Sequence, residues 1–429
     1  MSKLASMTVV LVGCAMIFSG CMMTPERLPL TAYYQYDYDY AVKKFREDIK
    51  RVKEKEEQNI VLASVNYAGA AFIGGDYRSS LEGFGAASKI MEDVEYGAER
   101  GQAAMVLAHG MRVYKGEPYE RAMAYTYMGL IYLRRGDLEN ARAAFNLALL
   151  ADKSSKGDNP EYRDDFGLAY YLIGKTFLKL GENDNAEISF NKVKKYMPDN
   201  PFAEPAKQRE SNLTLLVELG CGPSKHPDPV VGTVDMIATC KYPERYAEIY
   251  VDGTKLGRTA KVVDVNYQAK TSGHSQRDVA QAAKGVVTTL AKHTPFVGGL
   301  IGLVTDSTGV SKADLRHWPM LPGEVHVFEA KLAPGLHTVQ IKFFDEKNKE
   351  LERFQQTYYH VPVAESGSTY VARSGLDRHN QARPAAAEYL ALGPAALNQQ
   401  LGGPFAGLGG FGGDTPADKP ATDAPADKK

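Results

Sequence analysis

The strongest constraint on the fold of this chain is a pattern written twice between Ala122 and Pro198. Tyr125, Met128, Gly129 and Tyr132 are followed by Gly136, Ala141, Phe145 and Ala148; Tyr170, Ile173, Gly174 and Phe177 are followed by Gly181, Ala186, Phe190 and Pro198. Counted from Gly129 or from Gly174, the aromatic comes three residues later, the second glycine seven, the alanine twelve and the phenylalanine sixteen. Such spacing describes two antiparallel helices joined by a tight turn. Gly129 and Gly174 let the helices approach closely, and Tyr132 and Phe177 fall one turn further along the same face. Gly136 and Gly181 supply the left-handed residue that the turn needs. Ala141 and Ala186 are small where the returning helix crosses. Phe145 and Phe190 fill the core between units, and Pro198 stops the second helix.

This pattern resembles the tetratricopeptide repeat, a helix-turn-helix unit of about 34 residues. The resemblance implies a stacked array whose concave groove takes an extended peptide or a helix. Val61 to Ala87 reads as a degenerate earlier copy, with Gly75-Asp76-Tyr77 at the turn, Phe84 and Ala87 in register, and Ala68 where the first-helix glycine would stand. Ala98 to Tyr114 predicts an extra amphipathic helix, and an insertion from Lys153 to Asp164 sets the two reference glycines 45 residues apart. A helix from about Ala203 to Leu219 is expected to close the array. The tyrosine-rich run from Tyr33 to Tyr40 reads as the start of a helix lying across it, or as a partner-binding surface. Polar and aromatic positions on the first helices, Tyr127, Arg134 and Tyr171, are the candidate groove residues.

The N-terminus reads as an address. Lys3 precedes an apolar run from Leu4 to Phe18, which ends in Ile17-Phe18-Ser19-Gly20-Cys21. A short positive region, an apolar stretch and small residues before the cleavage site are the parts of a secretory signal. The sequence resembles the bacterial lipobox, in which the cysteine thiol receives a diacylglyceryl group; Leu11-Val12-Gly13-Cys14 offers a second, earlier reading of the same box. With Cys21 as the lipidation site, residues 1–20 are signal and 21–34 a tether. Met22 and Met23 follow instead of the Asp that retains such proteins at the inner membrane, so the expected location is the periplasmic face of the outer membrane. Acyl chains bury about 0.8 kcal/mol per CH₂, enough for stable anchoring with several chains.

Past the helical region (35–220) and an expected linker at 221–229, the pattern turns to strands. Thr233 to Thr239, Ala247 to Val251, Glu324 to Ala330, His337 to Phe344, Phe354 to Val361 and Thr369 to Ala372 alternate or cluster apolar residues between turn signals. Residues 230–380 are therefore read as a small antiparallel β-rich domain, a sandwich or sheet. The stretch Ala247 to Thr259, with Asp252-Gly253 at its turn, is similar to one hairpin of PEGA-type surface domains. An inserted helix is expected over Gln276 to Lys292. The apolar run Pro295 to Val304 is too short to span a bilayer; it reads as a buried turn, or as a contact with a membrane or partner. Residues 381–429, rich in Ala, Gly and Pro, carry too little apolar bulk to fold and are expected to be disordered. The fold class is α+β, with an all-α repeat array followed by the β-rich domain.

Together these halves resemble an uncharacterised family of bacterial lipoproteins with an N-terminal repeat domain and a C-terminal β-rich domain. The lipobox, Tyr114 to Arg121 and Ala313 to Pro322 carry the likeness. It implies an envelope protein associated with lipoproteins that activate peptidoglycan synthases, and it implies no established activity.

Composition bounds the chemistry. A net charge of −1 leaves no basic excess for nucleic-acid backbones. No nucleophile elbow, phosphate loop or zinc-helix motif is present, and the histidines lack metal-ligand spacing. No cofactor, metal or catalytic residue is therefore expected. Asp314, Arg316 and Trp318 form the nearest polar cluster. They read either as a recognition loop or as a rigid connector, and Pro319 and Pro322 favour the connector. In an oxidising compartment, Cys221 and Cys240 are a candidate disulfide closing about 20 residues, worth roughly 3 kcal/mol. The leading expectation is a non-enzymatic, outer-membrane-anchored interaction scaffold for envelope proteins. A peptidoglycan-binding or wall-modifying protein with its site at Asp314 to Trp318 is the second reading, and a self-assembling structural lipoprotein the third.

Overall fold

A computed structural model describes residues 28–92, 113–154, 164–204, 208, 210–227, 235–271 and 314–374. Cys21 and the signal, most of the helix expected over Ala98 to Tyr114, residues 155–163 of the insertion, Gln276 to Lys292, Pro295 to Val304 and the C-terminal tail lie outside these residues.

Among the described residues, helical hairpins follow one another along the chain. A short α1 (Pro29–Tyr34) and the charged α2 (Tyr38–Lys55) lead into α3 (Ile60–Gly74) and α4 (Tyr77–Glu92). The two repeat copies form α5 (Pro118–Arg135) with α6 (Leu138–Lys153), and α7 (Gly167–Leu180) with α8 (Asn183–Tyr196). The run from Tyr33 to Tyr40 therefore spans the end of α1 and the start of α2, where Tyr33 is buried.

Gly75, Gly136 and Gly181 end α3, α5 and α7 with φ of 84°, 77° and 79°. After the latter two turns, the amide of Asp137 donates to the Tyr132 carbonyl at 3.0 Å and that of Glu182 to Phe177 at 2.9 Å. Carbonyls orphaned at each helix end are thereby satisfied. Helix α5 begins on a capping box between Glu117 and Glu120, with Pro118 in its first turn.

The conserved spacing of the two copies has a direct packing cause. A Cβ on Gly129 would lie 2.3 Å from Phe145 Cε1, and one on Gly174 2.8 Å from Phe190 Cζ. Each phenylalanine thus lies over the glycine of its own hairpin. In the α3–α4 hairpin the close approach has moved to the second helix: a Cβ on Gly83 would lie 2.8 Å from Tyr67 Cδ1 and 2.9 Å from Ala68 Cβ. The degenerate copy reaches the same crossing with its glycine on the other partner.

Two four-stranded sheets and a hairpin complete the described fold. The first sheet has the order β10-β1-β7-β6, built from β1 (Leu213–Leu219), β6 (Ala260–Asp264), β7 (Glu324–Ala330) and β10 (Ser368–Arg373). The second has the order β5-β4-β8-β9, built from β4 (Tyr246–Val251), β5 (Thr254–Arg258), β8 (Gly335–Phe344) and β9 (Gln356–Val363). β2 (Pro223–Pro227) and β3 (Asp235–Thr239) pair as a separate ribbon. A last short helix, α9 (Val265–Thr271), follows β6.

Three expectations are corrected here. Residues 213–219, expected to end a closing helix, form a central strand, β1. All seven are buried, because β1 has apolar cover on both faces. An apolar run without alternation is what such a strand looks like in sequence. Residues 223–227, expected as linker, form β2, with Lys225 buried. The first sheet is also mixed rather than purely antiparallel, since β1 runs parallel to β10 and antiparallel to β7.

Strand alternation sorts side chains into layers. Leu213, Leu215, Val217 and Leu219 of β1, with Phe328 of β7, share a core with Ile249, Val339, Ile341 and Phe343 of the second sheet. From the opposite face, Leu216, Val325 and Val327 join the core of the helices. The order of layers is helices, first sheet, second sheet.

Candidate functional site: the inner face of the repeat array

Tyr127, Arg134 and Tyr171 were expected to line an open groove. Helices α5 and α7 do present them on one side of the array, but the first sheet covers that side, and all three are buried. The Tyr127 hydroxyl donates to Glu218 Oε1 on β1 at 2.7 Å. The Tyr171 hydroxyl donates to Glu329 on β7. Arg134 donates to the Tyr77 hydroxyl and lies over the rings of Tyr77 and Tyr370, at 4.6 and 5.3 Å from their centroids.

Each sheet carboxylate sits in a small network. Arg373 NH1 lies 3.6 Å from Glu218 Oε2, and donates to the Tyr33 hydroxyl at 2.7 Å and the Met320 carbonyl at 2.5 Å. Burial pushes the Glu218 carboxyl up against the pull of Arg373. Burial also works against charge on Arg373, but Tyr33 and Glu218 outweigh it and hold the guanidinium above its ordinary value. Glu329 takes Lys175 Nζ at 3.0 Å, the Thr214 hydroxyl at 3.2 Å and the Ser211 hydroxyl. At the far end of α7, Lys179 Nζ donates to the Ser366 carbonyl at 2.6 Å. Buried charges of this kind are tolerated only when paired and hydrogen-bonded; here the Tyr127–Glu218, Tyr171–Glu329, Lys175–Glu329 and Tyr33–Arg373 contacts join helix to strand, while Arg373–Glu218 joins two strands of the first sheet.

Asp314, Arg316 and Trp318 form a connector pinned beneath the array, not an open recognition loop. Arg316 grips Asp314 through Nε and NH2 at 2.8 and 2.7 Å, and reaches Asn59 Oδ1 at 3.0 Å. Burial opposes ionisation of Asp314, but the Arg316 hydrogen bonds hold its carboxyl below the usual range. Trp318 is 2% exposed. Its backbone amide donates to Glu120 Oε1 at 2.6 Å, and its ring meets Phe84 and Tyr127 edge-on at 5.9 and 6.0 Å. The ring also lies against Gly69, where a Cβ would stand 2.9 Å from Trp318 Cζ2. The glycine beside the degenerate position Ala68 thus makes room for the indole.

Cys221 and Cys240 are joined in a disulfide with Cα atoms 5.7 Å apart, closing the β2–β3 ribbon at its base. Lys225 on that ribbon pairs with Glu117 at the start of α5. Of the repeat positions, Tyr125, Ala141, Phe145, Ala186 and Phe190 are buried. Tyr132, Tyr170 and Phe177 are partly buried against the helical core. Pro198 is exposed in the loop after α8. Among the described residues no cluster of His, Cys, Asp or Glu suits a metal ion, and no helix is long and apolar enough to cross a membrane.

Sequence reasoning missed Glu218, Glu329, Lys175 and Arg373. Glu218 and Glu329 carried one signal, a carboxylate embedded in apolar strand sequence, as in Leu213 to Leu219; Lys175 and Arg373 carried none. The tetratricopeptide-repeat family profile matches residues 122–155 and 168–200, the same two copies read from the glycine and aromatic spacing. No curated protein and no solved structure matches the chain.

Proposed function

We propose that this chain is a non-enzymatic interaction scaffold of the cell envelope, anchored by lipid on Cys21 to the periplasmic face of the outer membrane. The observation that carries the scaffold reading is the pair of tetratricopeptide repeats locked to a sheet. Repeat arrays of this kind serve protein–protein interaction. The disulfide between Cys221 and Cys240 supports export to an oxidising compartment. Because the inner face is filled, a partner engages the outside of the block: the second helices α4, α6 and α8, or the outer face of the second sheet. Envelope proteins, peptidoglycan synthase machinery among them, are the partners this reading names.

The wall-binding alternative rested on Asp314, Arg316 and Trp318, and these are committed to internal pairing. In-cell crosslinking of a tagged chain, compared with Cys21→Ala, tests the scaffold. A defined envelope protein recovered with the parent and lost with the variant supports it. Recovery of glycan fragments, or of the chain alone, contradicts it.

A further inference from the structure

Where the end of α8 meets the rims of both sheets, a cleft of about 720 Å³ opens. Its walls combine Met197, Pro198 and Pro201 from the segment after α8 with Arg245 just before β4, Arg258 on β5 and Lys261 on β6. That volume suits a small organic molecule, and such sites typically join an apolar wall to a few convergent polar groups.

The carboxylates on the sheet side are already engaged. Glu324 takes His326 Nε2 at 2.9 Å and Lys261 Nζ at 3.4 Å. Asp264 takes Lys261 Nζ at 3.3 Å and the Tyr267 amide at 2.8 Å. Beneath them, the Ala247 amide donates to Thr259 Oγ1 at 2.9 Å, and Thr259 lies 3.3 Å from His326 Nδ1. Burial holds His326 below the ordinary imidazole value. With Nε2 facing the Glu324 carboxylate and Nδ1 facing the Thr259 hydroxyl, both ring nitrogens have partners, so the floor is internally satisfied.

The two arginines differ. Among the described residues, neither Arg245 nor Arg258 makes an ion pair or a side-chain hydrogen bond. Each guanidinium instead lies over a tyrosine: Arg258 at 4.1 Å from the Tyr246 centroid, and Arg245 at 5.6 Å from that of Tyr242. Both platforms are fixed. Tyr246 stacks on Phe344 at 5.2 Å with 5° between planes, and its hydroxyl donates to Asn348 at 3.0 Å. The Tyr242 ring fills the space beside Gly220 and Gly323. A guanidinium held over a ring rather than in an ion pair keeps N–H groups with which to grip a planar or tetrahedral oxyanion. Asp199, exposed in the same lining, offsets part of the positive charge. Selectivity must then come from the fork geometry of the arginines more than from net charge.

We propose that this cleft binds a small molecule carrying a doubly charged oxyanion on an apolar body, with Arg245 and Arg258 taking the oxyanion and Met197, Pro198 and Pro201 the body. The site is independent of the scaffold reading. Calorimetric titration of the chain with phenyl phosphate and with phthalate tests it, and the comparison separates a phosphate ester from a dicarboxylate. One-site, salt-sensitive binding of at least one probe is expected. Arg245→Gln or Arg258→Gln should weaken it by about tenfold each, Asp199→Asn should tighten it, and thermal unfolding should stay as in the parent. No saturable binding of either probe, equal binding of the benzamidinium cation, or unchanged affinity in both arginine variants would overturn the proposal.

Discussion

The hydroxyl of Tyr127, on a repeat helix, donates at 2.7 Å to Glu218, 91 residues further along the chain on the central strand of the first sheet. A tyrosine in the position of a groove residue is thus spent on the chain's own sheet. Together with Tyr171 and Glu329, and Lys175 and Glu329, this contact makes array and sheet a single packed body.

Removing that contact should loosen the body. Tyr127→Phe leaves Glu218 Oε1 without its donor and should cost about 1–3 kcal/mol. Glu218→Ala leaves the buried Arg373 without its carboxylate and should cost more, about 3–5 kcal/mol. Denaturant titration should show both as lower midpoints with little change in slope.

Glycines of the hairpins should respond according to what a methyl group would meet. Gly129→Ala drives a Cβ toward Phe145 and should cost about 1–3 kcal/mol by overpacking, with Gly174→Ala somewhat milder. Gly85→Ala in α4 meets nothing within 4 Å and should stabilise by about 0.5–1 kcal/mol through helix propensity. The sign of the change, read from thermal unfolding, distinguishes the crossing positions from the rest.

What could be read from sequence follows from locality. The turns at Gly136 and Gly181, the close approach of the helices at Gly129 and Gly174, and the Asp252-Gly253 hairpin are set by residues within about one unit of each other. They appear in the structure where the spacing put them. β1 is different. Leu213 to Leu219 gains its strand character from β7 on one side and β10 on the other, partners more than a hundred residues distant. The apolar run alone does not separate such a strand from a buried helix. The same distance hid the fate of Tyr127 and Tyr171, whose burial depends on where β1 and β7 pack. Trp318 was legible as part of a rigid connector through its prolines, but Gly69, which admits its ring, was not.

Proton uptake at Asp152 gives a pH signature. Burial, then the neighbouring Asp165, push its carboxyl up to about 7. Its folded value lies above its unfolded one, so the protonated form is favoured by folding. Stability from this group is full below about pH 4 and is lost as pH rises through about 7. Asp152→Asn should therefore raise the melting temperature at pH 8 by several degrees, about 2–4 °C per kcal/mol, and change it little at pH 5.

Reduction of Cys221–Cys240 should free the base of the β2–β3 ribbon, whose cysteines lie 19 apart in sequence. A loss of about 3 kcal/mol is expected from loop entropy. In hydrogen exchange the ribbon should open first, and the Glu117–Lys225 pairing with it.

Trp318 is the only tryptophan of the chain, and it stands where α3, α4 and α5 meet the segment leading into β7. Its fluorescence therefore reports the union of array and sheet, while helical circular dichroism reports the array itself. Following both through one thermal unfolding tests the central claim most directly. If the sheet fills the array as a structural part of it, the two curves coincide in a single transition. If Trp318 becomes exposed at a distinctly lower temperature while the helices persist, the sheet is a detachable occupant and the inner face of the array is open to other partners.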